Sequence, residues 1–193
     1  MAARTTSGWV LLLLAAIVGP WVGPVAHAAE HYRLDSTNTQ VSFVVQHLGF
    51  QWISAHFPDI AGEFVLDRGG AHSRVDVTVG IATLVCSEPR WGDRLRSADW
   101  LDAARYPQMT YHSSDIELDR PNADARGAIA NGELTLHGIT RPVVLTVTFL
   151  NCPTGGDCQF VAHGRIRRSE FGLPHGFFSG GDQVEIAISG TTH

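Results

Sequence analysis

Ten histidines and nineteen carboxylates are spread over 193 residues, enough donors for a metal centre or an acid–base pair. Their spacing builds neither locally. No HExxH, CxxC or His-x-His pair occurs, so a metal site would need side chains converging from distant elements. His47, His137 and His163 are expected near strand ends, and His56 and His72 in loops. No G-x-S-x-G elbow is present to hold a nucleophilic serine. "SGGD" at Ser179 to Asp182 has neither the lysine nor the spacing of a phosphate loop. The charged stretch "EPRWGDRLRSADWLD" sets Asp93 beside Arg94, a conceivable acid–base pair, but a solvated cap explains it more simply. Catalytic residues: none emerge. Metal ligands: none emerge.

Cysteine chemistry depends on compartment. Residues 1–28 read as an export signal, with Arg4 ahead of the apolar run Trp9 to Val18 and small residues at Ala26 and Ala28. Cleavage is expected after Ala28, by the general secretory route because only one arginine is present, giving a periplasmic or secreted protein. The remainder, residues 29–193, is 193 − 28 = 165 residues, one domain with room for a core. Without Arg4 its charge is 13 − 19 = −6, and it has no basic run. Nucleic acid and anionic membrane surfaces are therefore poor partners. In an oxidising compartment, Cys152 and Cys158 at the ends of "NCPTGGDC" come within disulfide reach if the flanking strands pair. Cys86 is left over, either a small buried apolar side chain or a reactive thiol.

Alternation of period two dominates the rest. Stripes occur at Val41–Val45, Phe64–Leu66, Val75–Ile81, Met109–Leu118, Ile129–Leu136, Val143–Phe149, Phe160–Ile166 and Val184–Ile188. "NG" at Asn131–Gly132 predicts a hairpin turn. Ser97 is expected to cap a short helix over "SADWLDAAR", and "HLGFQWISAHF" to hold an irregular helical turn. About eight one-sided strands make an all-β domain, and periodicity leaves a sandwich and a closed barrel both open. A closed ring of eight could house one small ligand.

Five segments in order carry a resemblance: "YRLDSTNTQVSFVVQHLGF", "FPDIAGEFVLD", "LRSADWLDAARYPQMTYHSS", "NGELTLHGITRPVVLTV" and "RSEFGL". Together they are similar to the YceI-like family of exported lipid-binding proteins, over essentially all of residues 32–190. The resemblance implies an eight-stranded antiparallel lipocalin-like barrel with a short helical cap, around an elongated apolar cavity. It also implies a bound isoprenoid lipid or isoprenoid quinone and no required cofactor. Some relatives accompany a membrane b-type cytochrome, and some pair as homodimers. Three positions depart from the family pattern: Asn38 in place of histidine, Trp91–Arg94 in place of Arg-Asp-x-His, and Cys86 in place of threonine.

The expectation is thus a binding protein that carries or sequesters an isoprenoid lipid. Inward stripe residues Phe43, Val45, Val77, Val79, Tyr111, Leu145, Val147 and Phe149 are its candidate ligand contacts, with the Tyr111 hydroxyl as a polar handle. Arg168 could anchor a polar head or brace its loop through a carboxylate. Two other readings stand beside it. One is an enzyme on a small lipid using a histidine–carboxylate pair; the other is a stress-response protein acting through Cys86 or a membrane oxidase.

Overall fold

The computed structural model describes residues 29–47, 51–68, 72–120, 125–175 and 181–192. The expected export segment lies outside them. Eleven strands follow in chain order: β1 Glu30–Asp35, β2 Thr39–His47, β3 Gln51–Phe57, β4 Ile60–Leu66, β5 Arg74–Gly80 and β6 Val85–Cys86, then β7 Gln108–Leu118, β8 Ala128–Leu136, β9 Ile139–Asn151, β10 Cys158–Arg167 and β11 Gln183–Thr192. All belong to one antiparallel sheet of order β1-β4-β5-β7-β8-β9-β10-β11-β2-β3-β6. The sheet curls strongly into a half-barrel, and contacts of β1 with β11 and of β2 with β4 bring its ends together across the interior.

The expected eight-stranded barrel is therefore corrected to an eleven-stranded half-barrel. All eight stripes are strands; β1, β3 and β6 are additional. β3 occupies the stretch expected to hold a helical turn, because Ile53, Ala55 and Phe57 all face the core while Trp52 is 62% exposed. β6 is only two residues long, below what periodicity detects.

The helix is also displaced. α1 spans Pro89–Arg96, starting on a proline whose missing N–H costs nothing at the first helical position. Ser97, expected to begin a helix, ends this one: its backbone is extended, and its hydroxyl donates to the Arg94 carbonyl at 2.7 Å. Residues 98–105 then form successive turns, with Leu101 N donating to Leu95 O and Tyr106 N to Asp102 O. Adjacent Trp100 and Leu101 are both buried there. Asp93 pairs with Arg96 at 2.6 Å and not with Arg94, whose guanidinium lies over Trp91.

The tight hairpin falls at His137–Gly138, not at Asn131–Gly132. Both turn residues have left-handed backbone, φ 53° and 73°, as a two-residue hairpin of the right twist requires. Asn131–Gly132 sits inside β8. Glycine is needed at 132 because a Cβ would lie 2.5 Å from the Tyr111 ring and 2.5 Å from the His112 carbonyl.

Candidate functional site

Two bulges decide which side chains reach the interior. In β7, the pairing shifts between His112 and Asp115, so Tyr111 and Ile116 both face inward although an odd number of steps separates them. Ser113 is buried at the bulge, where its hydroxyl donates to Asn131 O at 2.7 Å. In β9, Val147 pairs with Ala162 but Phe149 pairs with Val161, leaving Thr148 extra. The interior row therefore continues through Leu150.

Inside the curl, two apolar pockets share part of their walls and form two lobes of one interior. The larger, about 130 Å³, lies among β4, β5, β7, β8 and β9, and the surface facing it is apolar. Small residues leave that space: Ala128, Ala130 and Ala162 stand where larger side chains would fill it. The smaller lobe, about 80 Å³, lies beneath the α1 end against Leu95, Trp100 and Leu101. Four residues wall both lobes: Val41, Met109, Leu134 and Ile186.

Few polar groups approach this interior. The Tyr111 hydroxyl donates to the carbonyls of Ala130 at 2.9 Å and Val143 at 3.2 Å, so it is satisfied by the sheet itself. Burial pushes its pKa up to about 12. Arg168 is 4% exposed in the 3-10 turn Arg168–Phe171 and borders the smaller lobe. Its guanidinium donates to the Gly181 carbonyl and lies over Trp100, 5.4 Å from the ring centre. Burial lowers its pKa from the ordinary arginine value, opposed by attraction from Asp182. A carbonyl, an aromatic face and the charge of Asp182 thus all hold this side chain in place.

A second apolar cluster closes the other end: Tyr32, Leu66, Leu150, Cys152 and Cys158. Above it Arg68 meets the Glu30 carboxylate through Nε at 2.6 Å and Nη2 at 2.9 Å, and also donates to the Cys152 carbonyl at 2.5 Å. Tyr32 donates to Glu30 at 2.6 Å. The Cys152–Cys158 disulfide forms at the β9–β10 connection and fixes the segment carrying that carbonyl. The latch joins the adjacent strands β1 and β4 to β9, which neighbours neither of them in the sheet.

Residues 32–192 match the YceI-like domain. Protein YceI of Escherichia coli O17:K52:H18 is 32% identical over 168 residues, covering 83% of this chain and 85% of the relative. The chain belongs to the YceI-like family. UPF0312 protein Ent638_1570 of Enterobacter sp. (strain 638) is another relative at 32% identity, with the same coverage. Among solved structures, Burkholderia cenocepacia BcnA superposes with a TM-score of 0.70 at 24% identity, covering 83% of this chain and 99% of that one. A polyisoprenoid binding domain from Saccharophagus degradans, implicated in plant cell wall breakdown, superposes at 0.60 with 13% identity, covering 84% and 97%. At these identities the structural likeness concerns the fold.

Within this YceI-like half-barrel, Val77, Val79, Tyr111, Leu145 and Val147 border the larger lobe, and Phe43 and Val45 the smaller. Phe149 does not join them. It is 46% exposed on the outer face because the β9 bulge reverses the alternation after Val147. Leu150, missed in the sequence because the apolar Phe149 continued the stripe, takes the inward place. Met109 was on a stripe but not singled out; its place in the wall common to both lobes depends on distant strands, which periodicity does not show. Histidine placement changes too: His56 lies in β3 and His163 within β10. His31 meets Glu63 and His112 meets Asp76, both on the outer, exposed face. Among the described residues, no group of three or more His, Cys, Asp or Glu is arranged to hold a metal ion.

The three departures from the family pattern have local explanations. Asn38 pins the β1–β2 turn, accepting from Asp35 N at 2.9 Å and donating to Arg33 O at 2.9 Å. Trp91 packs edge-on against Trp100, 6.4 Å between ring centres, so the altered α1 sequence shapes the smaller lobe from behind. Cys86 is a free, half-buried thiol in β6 whose sulfur points at the Ser54 carbonyl, 3.5 Å away.

Proposed function

We propose that this protein binds an isoprenoid lipid, either a polyisoprenoid or the tail of an isoprenoid quinone, and carries or sequesters it after export to the periplasm or beyond. It acts by binding rather than by catalysis. The observation that carries this reading is the apolar cavity, where small residues on the inner face of the curl leave room. The polyisoprenoid binding domain from Saccharophagus degradans, which shares the fold, supports it.

Each buried methylene is worth roughly 0.8 kcal/mol against water, so a few five-carbon units supply a large gross driving force. Much of it is absorbed by ordering the chain and by competition with the membrane, itself an apolar solvent. Readily reversible exchange is the behaviour this physics favours.

Gentle purification of the exported protein, organic extraction and mass spectrometry test the reading. An isoprenoid recovered near one per chain is the expected result. No recovery, even after incubation with quinone-containing vesicles, would reject it.

A further inference from the structure

The vacant volume is small for a long lipid. An engineered cavity of about 150 Å³ takes one benzene, six carbons. On that scale the larger lobe, about 130 Å³, takes about five carbons, and the smaller, about 80 Å³, about three. A longer chain must therefore pass from one lobe into the other. The wall common to both lobes, the waist, is made by Met109 on β7, Leu134 on β8, Val41 on β2 and Ile186 on β11.

These four side chains differ in how easily they move. Val41 and Ile186 are β-branched and stiff at χ1. Leu134 is 6% exposed, locked in the central core cluster. Met109 is only half-buried, packed against that cluster. Its side chain is unbranched, with three rotatable bonds and a polarizable sulfur, so it can swing aside without breaking a covalent or polar constraint. It is also the only methionine among the described residues.

We propose that Met109 is a movable partition between the two lobes and sets the length of apolar chain the protein admits. Chains of about five carbons occupy the larger lobe with Met109 in place; longer chains require it to rotate and then reach Trp100. The proposal rests on the carrier reading, since it describes how the same cavity selects its guest.

The test uses two alcohols carrying bromine on the terminal carbon, bromobutanol and bromodecanol. Bromine quenches indole fluorescence at contact, and Trp100 borders the smaller lobe only. Wild type is expected to bind both, with Trp100 quenched by bromodecanol and not by bromobutanol; Trp100→Phe identifies that part of the signal. Met109→Ile keeps the volume but stiffens the partition, and should lower the ratio of bromodecanol to bromobutanol affinity by about tenfold or more. Met109→Ala should raise the ratio, and Met109→Leu serves if the isoleucine variant does not fold. An affinity ratio that is the same in wild type and the stiffened variant would overturn the proposal. So would Trp100 quenching by the short alcohol equal to that by the long one. Failure of both alcohols to bind wild type would instead remove the carrier reading beneath it, whereas binding of bromobutanol alone would overturn the proposal.

Discussion

Replacing Arg68 by methionine removes the cation of the latch that ties β1 and β4 to the β9–β10 connection, while keeping most of its apolar stem. The side chains of Arg68 and Glu30 are 13% and 21% exposed, so the stranded Glu30 carboxylate would be poorly hydrated. Breaking a fully buried pair costs about 3–5 kcal/mol. Residual hydration of Glu30 and its bond from Tyr32 reduce that to about 2–3 kcal/mol here. For a domain of this size the loss corresponds to a fall in Tm of about 4–12 °C. Urea unfolding followed by far-UV circular dichroism, with the disulfide kept oxidised, measures it directly. Arg165–Glu185 supplies the comparison: its contact is 3.0 Å, but its side chains are 72% and 59% exposed. Arg165→Met should cost only about 0–1 kcal/mol. A double variant, Arg68→Met with Glu30→Gln, should be no less stable than Arg68→Met alone, since the carboxylate that was stranded is then neutral. If Arg68→Met costs no more than Arg165→Met, the latch is an ordinary surface contact and the reasoning from its burial is wrong.

Three further outcomes follow from the same structure. Tyr32 and Tyr111 are both held up to about 12, chiefly by burial, so the native state keeps their protons after the unfolded chain, near 10, has lost them. Their contribution to stability is full below pH 10 and declines as pH rises from about 10 to 12; Tyr111→Phe should flatten that decline in urea titrations across the alkaline range. Replacing Cys152 and Cys158 together by alanine releases a loop with a sequence separation of 6, which chain entropy values at about 2 kcal/mol, readable as a lower urea midpoint. Leu150→Ala should cost about 2–5 kcal/mol and Phe149→Ala markedly less; the reverse order would show that the β9 bulge is misplaced.

The family and the eight principal strands were legible because period-two stripes and the five ordered segments are local properties of the chain. The bulges were legible unequally. In β7 the change of phase between Tyr111 and Ile116 is written in the sequence, since the polar residues Ser113, Ser114 and Asp115 separate two apolar stripes of opposite parity. In β9 the outward residue is itself aromatic, so Phe149 disguises the reversal. The Asn131–Gly132 pair misled for a related reason: its glycine answers a tertiary need, room for the Tyr111 ring, and not a turn. The waist and the latch depend on strands far apart in the chain and carry no local pattern at all.

On the carrier reading proposed above, water-to-oil transfer is not the driving force, because the guest would come from among hydrocarbon chains. The vacancy itself supplies another driving force. An unfilled core volume costs about 24 cal/mol per Å³, so the larger lobe, about 130 Å³, burdens the empty protein by about 3 kcal/mol. The smaller, about 80 Å³, adds about 2 kcal/mol. A tail that fills both restores the missing dispersion contacts, an advantage that a fluid membrane, less densely packed than a protein core, does not offer equally. The gain is a few kcal/mol, enough to bias the equilibrium towards extraction. Small residues at Ala128, Ala130 and Ala162 thus weaken the empty fold in the same measure that they favour the filled one. On this account Ala130→Leu should raise the Tm of the empty protein if the new side chain fits the lobe, and weaken guest binding at the same time. A variant that gains stability and still binds its guest as tightly as wild type would show that the vacancy is not what draws the guest in.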